Sequence, residues 1–155
     1  MNLFSRIKEW LHPPAPPALV WHPVIASSFA DHADVCAFLL CKDKGGTDLE
    51  CFKVGDNGIG FFDAAPCWRD DILFAALPRD VWLARWGNAQ RASQRQLAVR
   101  VRGQIYIGTL GDTLPWLRNI KPGRATLDLN PGFARAFGLR PPFLVNAEWA
   151  WVDPA

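Results

Sequence analysis

The sequence has no apolar run long enough to cross a membrane, and none of secretion-signal length follows the basic residues Arg6 and Lys8. The expectation is a chain with no Sec signal and no transmembrane segment. It would be cytoplasmic as synthesised, and released, if at all, by lysis or a specialised secretion route. An excess of one charge is missing too: 17 basic and 15 acidic residues leave a net charge of +2. A nucleic-acid binder gathers a clear basic excess on one face, so no nucleic-acid partner is expected. The one basic concentration, Arg91, Arg95, Arg100 and Arg102, reads as a solvated strand edge.

Several chemical signatures are absent as well. Cys36, Cys41, Cys51 and Cys67 contain no Cys-x-x-Cys, which removes the usual zinc spacing. Two disulfides or four buried thiols fit the count equally. Cys36 and Cys41, on different faces of a predicted helix, are not expected to pair with each other. His22 and His32 have no partner at metal-ligand spacing and read as surface or capping residues. Gly55-Asp56-Asn57-Gly58-Ile59-Gly60 lacks the Lys-Ser/Thr of a phosphate loop and reads as tight turns entering a strand at Ile59–Phe62. Ser27-Ser28 has no nucleophile-elbow setting. No metal and no cofactor are expected.

What is present is a core-forming composition, half hydrophobic, in a chain of 155 residues. That is one domain's length with a tail. Leu3, Phe4, Ile7, Trp10 and Leu11 recur at helical spacing, so residues 1–11 are expected to form an amphipathic helix that docks on the domain or on a protein partner. Residues 12–18 contain Pro13-Pro14-Ala15-Pro16-Pro17, a stiff extended linker, and residues 19–155 form the domain.

Within the domain a strand is expected over Val20–Phe29, with Pro23 marking an edge or bend. A helix follows near Ala33–Lys42, capped by Asp31 or Asp34, and Thr47 caps a further short turn. A helical turn Arg79–Trp86 closes at Gly87. Alternating Leu97, Val99 and Val101, then Ile105 and Ile107 after Arg102-Gly103, spell a hairpin with one buried face. The C-terminal third sets two isolated acids in special backbone, Asp112 in Gly-Asp-Thr-Leu-Pro and Asp128 in Leu-Asp-Leu-Asn-Pro. A short helix over Phe133–Leu139 and a last strand over Phe143–Val152 follow. Few helices, many short strands and frequent Gly/Pro punctuation point to a small closed barrel.

The order Ala75-Ala76-Leu77-Pro78, Leu97-Ala98-Val99-Arg100-Val101, Leu110-Gly111-Asp112-Thr113-Leu114-Pro115 and Leu127-Asp128-Leu129-Asn130-Pro131, with a helix ending Phe137-Gly138-Leu139, resembles the double-psi β-barrel superfamily. That superfamily includes rare-lipoprotein-A-like lytic transglycosylases, barwin-like and expansin proteins and small endoglucanases. The resemblance covers roughly residues 57–152. It implies a mainly β fold, a small six-stranded double-psi barrel with short helical insertions beside the N-terminal helix. It also implies a polysaccharide partner, peptidoglycan or a related glycan, with Asp112 and Asp128 at the positions of the family's two acidic motifs. Two departures stand out: Thr113-Leu114 replaces an Arg-Gly pair after the first acid, and no His stands between the motifs.

Glycosidic cleavage needs a proton donor at the leaving oxygen, and a hydrolase adds a second carboxylate for water or the sugar. Asp128, between Leu127 and Leu129, is the expected acid, because apolar surroundings raise a carboxyl pKa. Asp112 is then the base or charge stabiliser. A lytic transglycosylase manages with one acid/base. Against this stands a structural reading, in which both acids serve turns or caps through nearby backbone N–H groups. Asp31, Asp56 and Asp63 are lesser candidates already explained by turns and caps. Among the aromatics, Trp116 and Trp68 are expected to face substrate, whereas Trp149 and Trp151 share a strand face and read as core. The alternative to an enzyme is a non-catalytic glycan-binding or protein-interaction module on the same fold.

Overall fold

The computed structural model describes residues 18–154. The expected helix at 1–11, and all of the linker but Ala18, lie outside the described residues. Six strands, β1 (His22–Ser28), β2 (Phe74–Pro78), β3 (Gln96–Val101), β4 (Gln104–Leu114), β5 (Leu127–Leu129) and β6 (Leu144–Trp151), close into a barrel in the order β1-β5-β2-β4-β3-β6. Two of the pairings, β1 with β5 and β2 with β4, are parallel, and the other four are antiparallel. A closed barrel leaves no sheet edge for another chain to pair with. Among the described residues no helix is long and apolar enough to cross a membrane.

Strand alternation fills the interior. Ala26, Ala75, Leu77, Leu97, Val99, Leu110, Leu127 and Leu129 all point inward and are fully buried, joined by Trp82, Phe133 and Trp149. Each large apolar side chain removed from water contributes about 1.5–3 kcal/mol, which makes this cluster the main source of stability. β3 and β4 form the expected hairpin, turning at Arg102 (φ 50°) and Gly103 (φ 81°). Two consecutive residues in the left-handed region match the twist of the strands they join. Pro23 lies in β1, paired with Glu148 of β6 on one side and with no strand on the other, a local edge of the kind the sequence suggests. Its missing N–H is harmless because the β5 ladder begins only at Ala26.

Five short helices decorate the barrel: α1 (His32–Asp43), α2 (Asp48–Cys51), α3 (Arg79–Trp86), α4 (Ala89–Ala92) and α5 (Pro131–Ala136). Asp31 caps α1 by accepting from the Ala33 and Asp34 N–H groups, and Thr47 with Glu50 forms a reciprocal capping box on α2. Gly87, at φ 81°, ends α3. The last helix starts two residues earlier than the sequence suggests, because Asn130 caps it and Pro131 takes its first position, and it ends at Ala136, ahead of Gly138 at φ 65°.

Residues 29–72 wrap one outer flank of the barrel and add a second apolar cluster there, Phe29, Ala30, Ala65 and Cys67 against Phe74 and Ala76. The strand expected at Ile59–Phe62 does not form. Only a single bridge, Ile59 to Pro66, appears, because Gly60 is pressed against the Gly111 carbonyl and the chain turns back at once. One disulfide, Cys41–Cys51, ties α1 to α2, while Cys36 is an exposed thiol and Cys67 a buried one. The cysteines are thus neither two disulfides nor four thiols. The arginines near β3 are occupied in part: Arg100 pairs with Glu148 at 2.6 Å, and Arg95 lies 4.4 Å from the Trp86 ring centroid.

Candidate functional site

Asp112 and Asp128 do not sit in turns. Asp128 is the middle residue of β5, and Asp112 lies inside β4, which runs on to Leu114. Register brings them together. Asp128 and Asp112 are both partners of Ala76, one on either side, and Ser27 of β1 is the next partner beyond Asp128. The four residues form one row, Ser27–Asp128–Ala76–Asp112, across four adjacent strands. Two strand spacings of about 4.8 Å put the Asp112 and Asp128 Cα atoms roughly 9–10 Å apart.

The row faces away from the barrel interior, because residues 26, 75, 127 and 129 point inward and 27, 76 and 128 alternate with them. Asp112 joins that outer face only through a bulge. Ala75 pairs with Leu110 and Ala76 with Asp112, so Gly111 is skipped. The extra residue reverses the alternation of β4, turning inward-facing Leu110 into outward-facing Asp112 two positions later. Glycine is required at the bulge, since a Cβ on Gly111 would stand 2.7 Å from the Phe74 ring.

The environment of each acid is specific. Asp112 accepts from the Phe61 N–H at 2.9 Å and the Thr113 N–H at 2.8 Å. Burial pushes its pKa up to about 6, against the pull of those two bonds, with nearby Asp56 adding to the rise. Asp128 accepts from the Ser27 hydroxyl. Burial pushes it up to about 7; Ser27 opposes the rise, and the charges of Asp112, Asp56 and Asp34 reinforce it. Asp56 and Asp34 are themselves raised by burial, so four carboxyl groups share one flank. Cys67, buried beside them, is pushed up to about 12 and keeps its proton. Among the described residues no three His, Cys, Asp or Glu gather as a metal site.

Of the lesser acids, Asp31 is the α1 cap, Asp56 accepts from the Gly58 N–H at 2.6 Å, and Asp63 takes the Ser93 hydroxyl. Trp68 is 55% exposed and packs against Gly58, next to Asp56. Trp116 is half-buried, with the Arg79 guanidinium 5.9 Å from its ring centroid and that of Arg118 5.2 Å from it. Arg79 is also 6.0 Å from the ring of Phe61, whose backbone holds Asp112. Trp149 is buried and Trp151 is stacked edge-on against it.

Sequence reasoning passed over three residues that build the site. Ser27 was dismissed as a nucleophile, yet it is the hydroxyl on Asp128. Phe61 fell within a strand that does not form. Asn130 is fully buried: its Oδ1 accepts from Phe74 and Phe133 N–H groups, and its Nδ2 donates to the carbonyls of Cys67, Arg69 and Ile72. That one amide fixes β2, the 67–72 segment and α5 two residues beyond Asp128. Asn-Pro before a helix signals a cap in sequence, but not these three carbonyl partners.

No family model matches the chain, and no curated protein matches it. Among solved structures, a Streptomyces papain inhibitor aligns at a TM-score of 0.44 and 15% identity, covering 86% of this chain and 96% of that one. A likeness this distant carries no argument about what the chain does.

Proposed function

We propose that this is a glycan-acting barrel of the double-psi kind, cleaving a glycosidic bond in peptidoglycan or a related polysaccharide with Asp128 as general acid and Asp112 as its partner. The observation that carries the reading is the row Ser27–Asp128–Ala76–Asp112, which holds two carboxyl groups on one flank where burial raises both toward neutrality. The two parallel pairings within an otherwise antiparallel barrel fit the double-psi resemblance.

At neutral pH a carboxyl near 7 is protonated about half the time and can hand its proton to a leaving oxygen, while one near 6 is mostly ionised. Loss of Asp128's proton raises the local negative charge beside Asp112, which favours the cationic sugar of the transition state. Ser27 holds the Asp128 carboxyl in one orientation and stabilises the anion left after transfer. An inverting hydrolase needs the two carboxyl groups about 6.5–9.5 Å apart to admit a water. The lytic alternative uses Asp128 alone, with the substrate's own hydroxyl attacking.

Exposed Trp68 and half-buried Trp116 supply faces for sugar rings. A second reading, a binding module without turnover, is favoured by one observation: both carboxylates already accept hydrogen bonds from the protein. The experiment that separates the readings measures new reducing or anhydro ends released from purified peptidoglycan by the wild type and by Asp128→Asn. Cleavage predicts release that falls at least a hundredfold in a variant that still melts cooperatively. Sedimentation with the polymer and no new ends in the wild type sinks the catalytic reading.

A further inference from the structure

Beside the acids lies a group of residues that the cleavage chemistry does not use. The segment joining β4 to β5, residues 115–126, carries Arg118, Lys121 and Arg124 and no acid. Arg118 lies against Trp116, and Arg79, from the first position of α3, lies between Trp116 and Phe61 at nearly equal distances, 5.9 and 6.0 Å. Neither guanidinium has a carboxylate partner among the described residues, where the ion pairs are Lys42–Asp48, Arg69–Asp71, Arg100–Glu148 and Arg135–Asp70. The carboxylate next in sequence, Asp80, is spent on the Leu117 N–H at 3.0 Å. Arg79 also gains nothing from its own helix, since a cation at a helix N-terminus meets the positive end of the dipole.

We propose that Phe61, Arg79, Trp116 and Arg118 form a subsite for an acidic sugar, a uronate or another carboxylate-bearing pyranose, within the glycan that reaches Asp112 and Asp128. The inference rests on the glycan reading above and names the substrate class it takes. Aromatic faces bind the apolar side of a pyranose ring, and a guanidinium offers the paired donors that a carboxylate fits. Both arginines are exposed in the free protein, and a neutral sugar covering them would offer hydroxyl acceptors but no charge to pair with them. Phe61 joins the two groups: its ring faces Arg79 at 6.0 Å, and its backbone N–H donates to Asp112, which sits among the carboxyl groups of Asp128, Asp56 and Asp34. A nucleic acid could stack on the same rings, but its phosphates recur at every nucleotide and would run into those acids. A glycan can alternate an acidic residue with neutral ones and place only the acidic one at the arginines.

The test uses the full-length protein and two probes, a galacturonate hexamer and its methyl ester, read by tryptophan fluorescence. The acid form is expected to bind at least about tenfold more tightly than the ester. Arg79→Gln with Arg118→Gln should bring the two affinities together. Raising salt to about 0.5 M should weaken the acid form alone in the wild type, a readout that needs no variant to fold. Equal affinity for acid and ester, or an acid preference untouched by both salt and substitution, overturns the proposal, as does tighter binding of an oligothymidylate than of the galacturonate. Uronate-selective binding with no new chain ends leaves the subsite standing and removes the cleavage reading. Cleavage with no preference between acid and ester does the reverse.

Discussion

The interior of the barrel and its outer flank are built on the same strands, β2, β4 and β5, yet the two faces obey opposite rules. Inward, Ala75, Leu77, Leu110, Leu127 and Leu129 form a closed apolar layer. Outward, one residue beyond Leu127 on β5 and, through the bulge, two beyond Leu110 on β4, the chain places Asp128 and Asp112 where burial raises both pKa values. The interior lowers the free energy of folding, whereas the flank spends some of that stability on holding acids in a setting that disfavours their charge. A position where a chain tolerates such a cost is where function is sought first.

The sharpest way to break the comparison is to cut what joins the two faces. Asn130→Ala should cost at least about 3 kcal/mol, since it strands the Phe74 and Phe133 N–H groups and three carbonyls at once. Urea denaturation measures this, and a loss below about 1 kcal/mol would mean that the amide is not the tie described. Gly111→Ala comes next. Its new Cβ meets the Phe74 ring at 2.7 Å inside the bulge, for an expected cost of about 1–3 kcal/mol. Because the bulge aims Asp112, the same variant should also lose activity beyond its loss of stability, compared at a temperature where both proteins are folded.

The smallest effect is the most diagnostic of the flank. Both acids bind their protons more tightly in the folded chain, with values of about 6 and about 7, than as free carboxyls near 4. Between those limits the folded state holds the extra protons, so their contribution to stability is fully present below about pH 4 and is lost as pH rises through 6 and 7. The melting temperature should therefore fall by several degrees from pH 5 to pH 8. Asp128→Asn should flatten that slope and melt at or above the wild type at pH 8, since an amide oxygen still accepts from Ser27. A slope unchanged by both Asp128→Asn and Asp112→Asn would show that the flank carries no such load.

Much of the frame was legible before any coordinates. The alternation of Leu97, Val99 and Val101 with the Arg102-Gly103 turn spelled the hairpin, and Pro78 and Gly87 bracketed α3, because strand period and backbone-restricted residues are local properties. Thr47 was legible as a cap for the same reason, and the choice between Asp31 and Asp34 for α1 fell to Asp31 in the structure. The Ile59–Phe62 segment misled, since its glycines serve a close approach to the Gly111 carbonyl, which no local pattern reports.

The site divides along the same line. Sequence alone picked out Asp112 and Asp128 as isolated acids, though at strand ends in special backbone, and it excluded a zinc-type cysteine motif, a phosphate loop and a serine elbow, because those depend on spacing within one segment. Only the tertiary structure could decide that both acids flank Ala76, that Ser27 reaches Asp128 across 101 positions, and that a bulge turns Asp112 outward. Those facts depend on register between strands distant in the chain. A one-residue shift in register, invisible in composition, moves a side chain from the core to the flank.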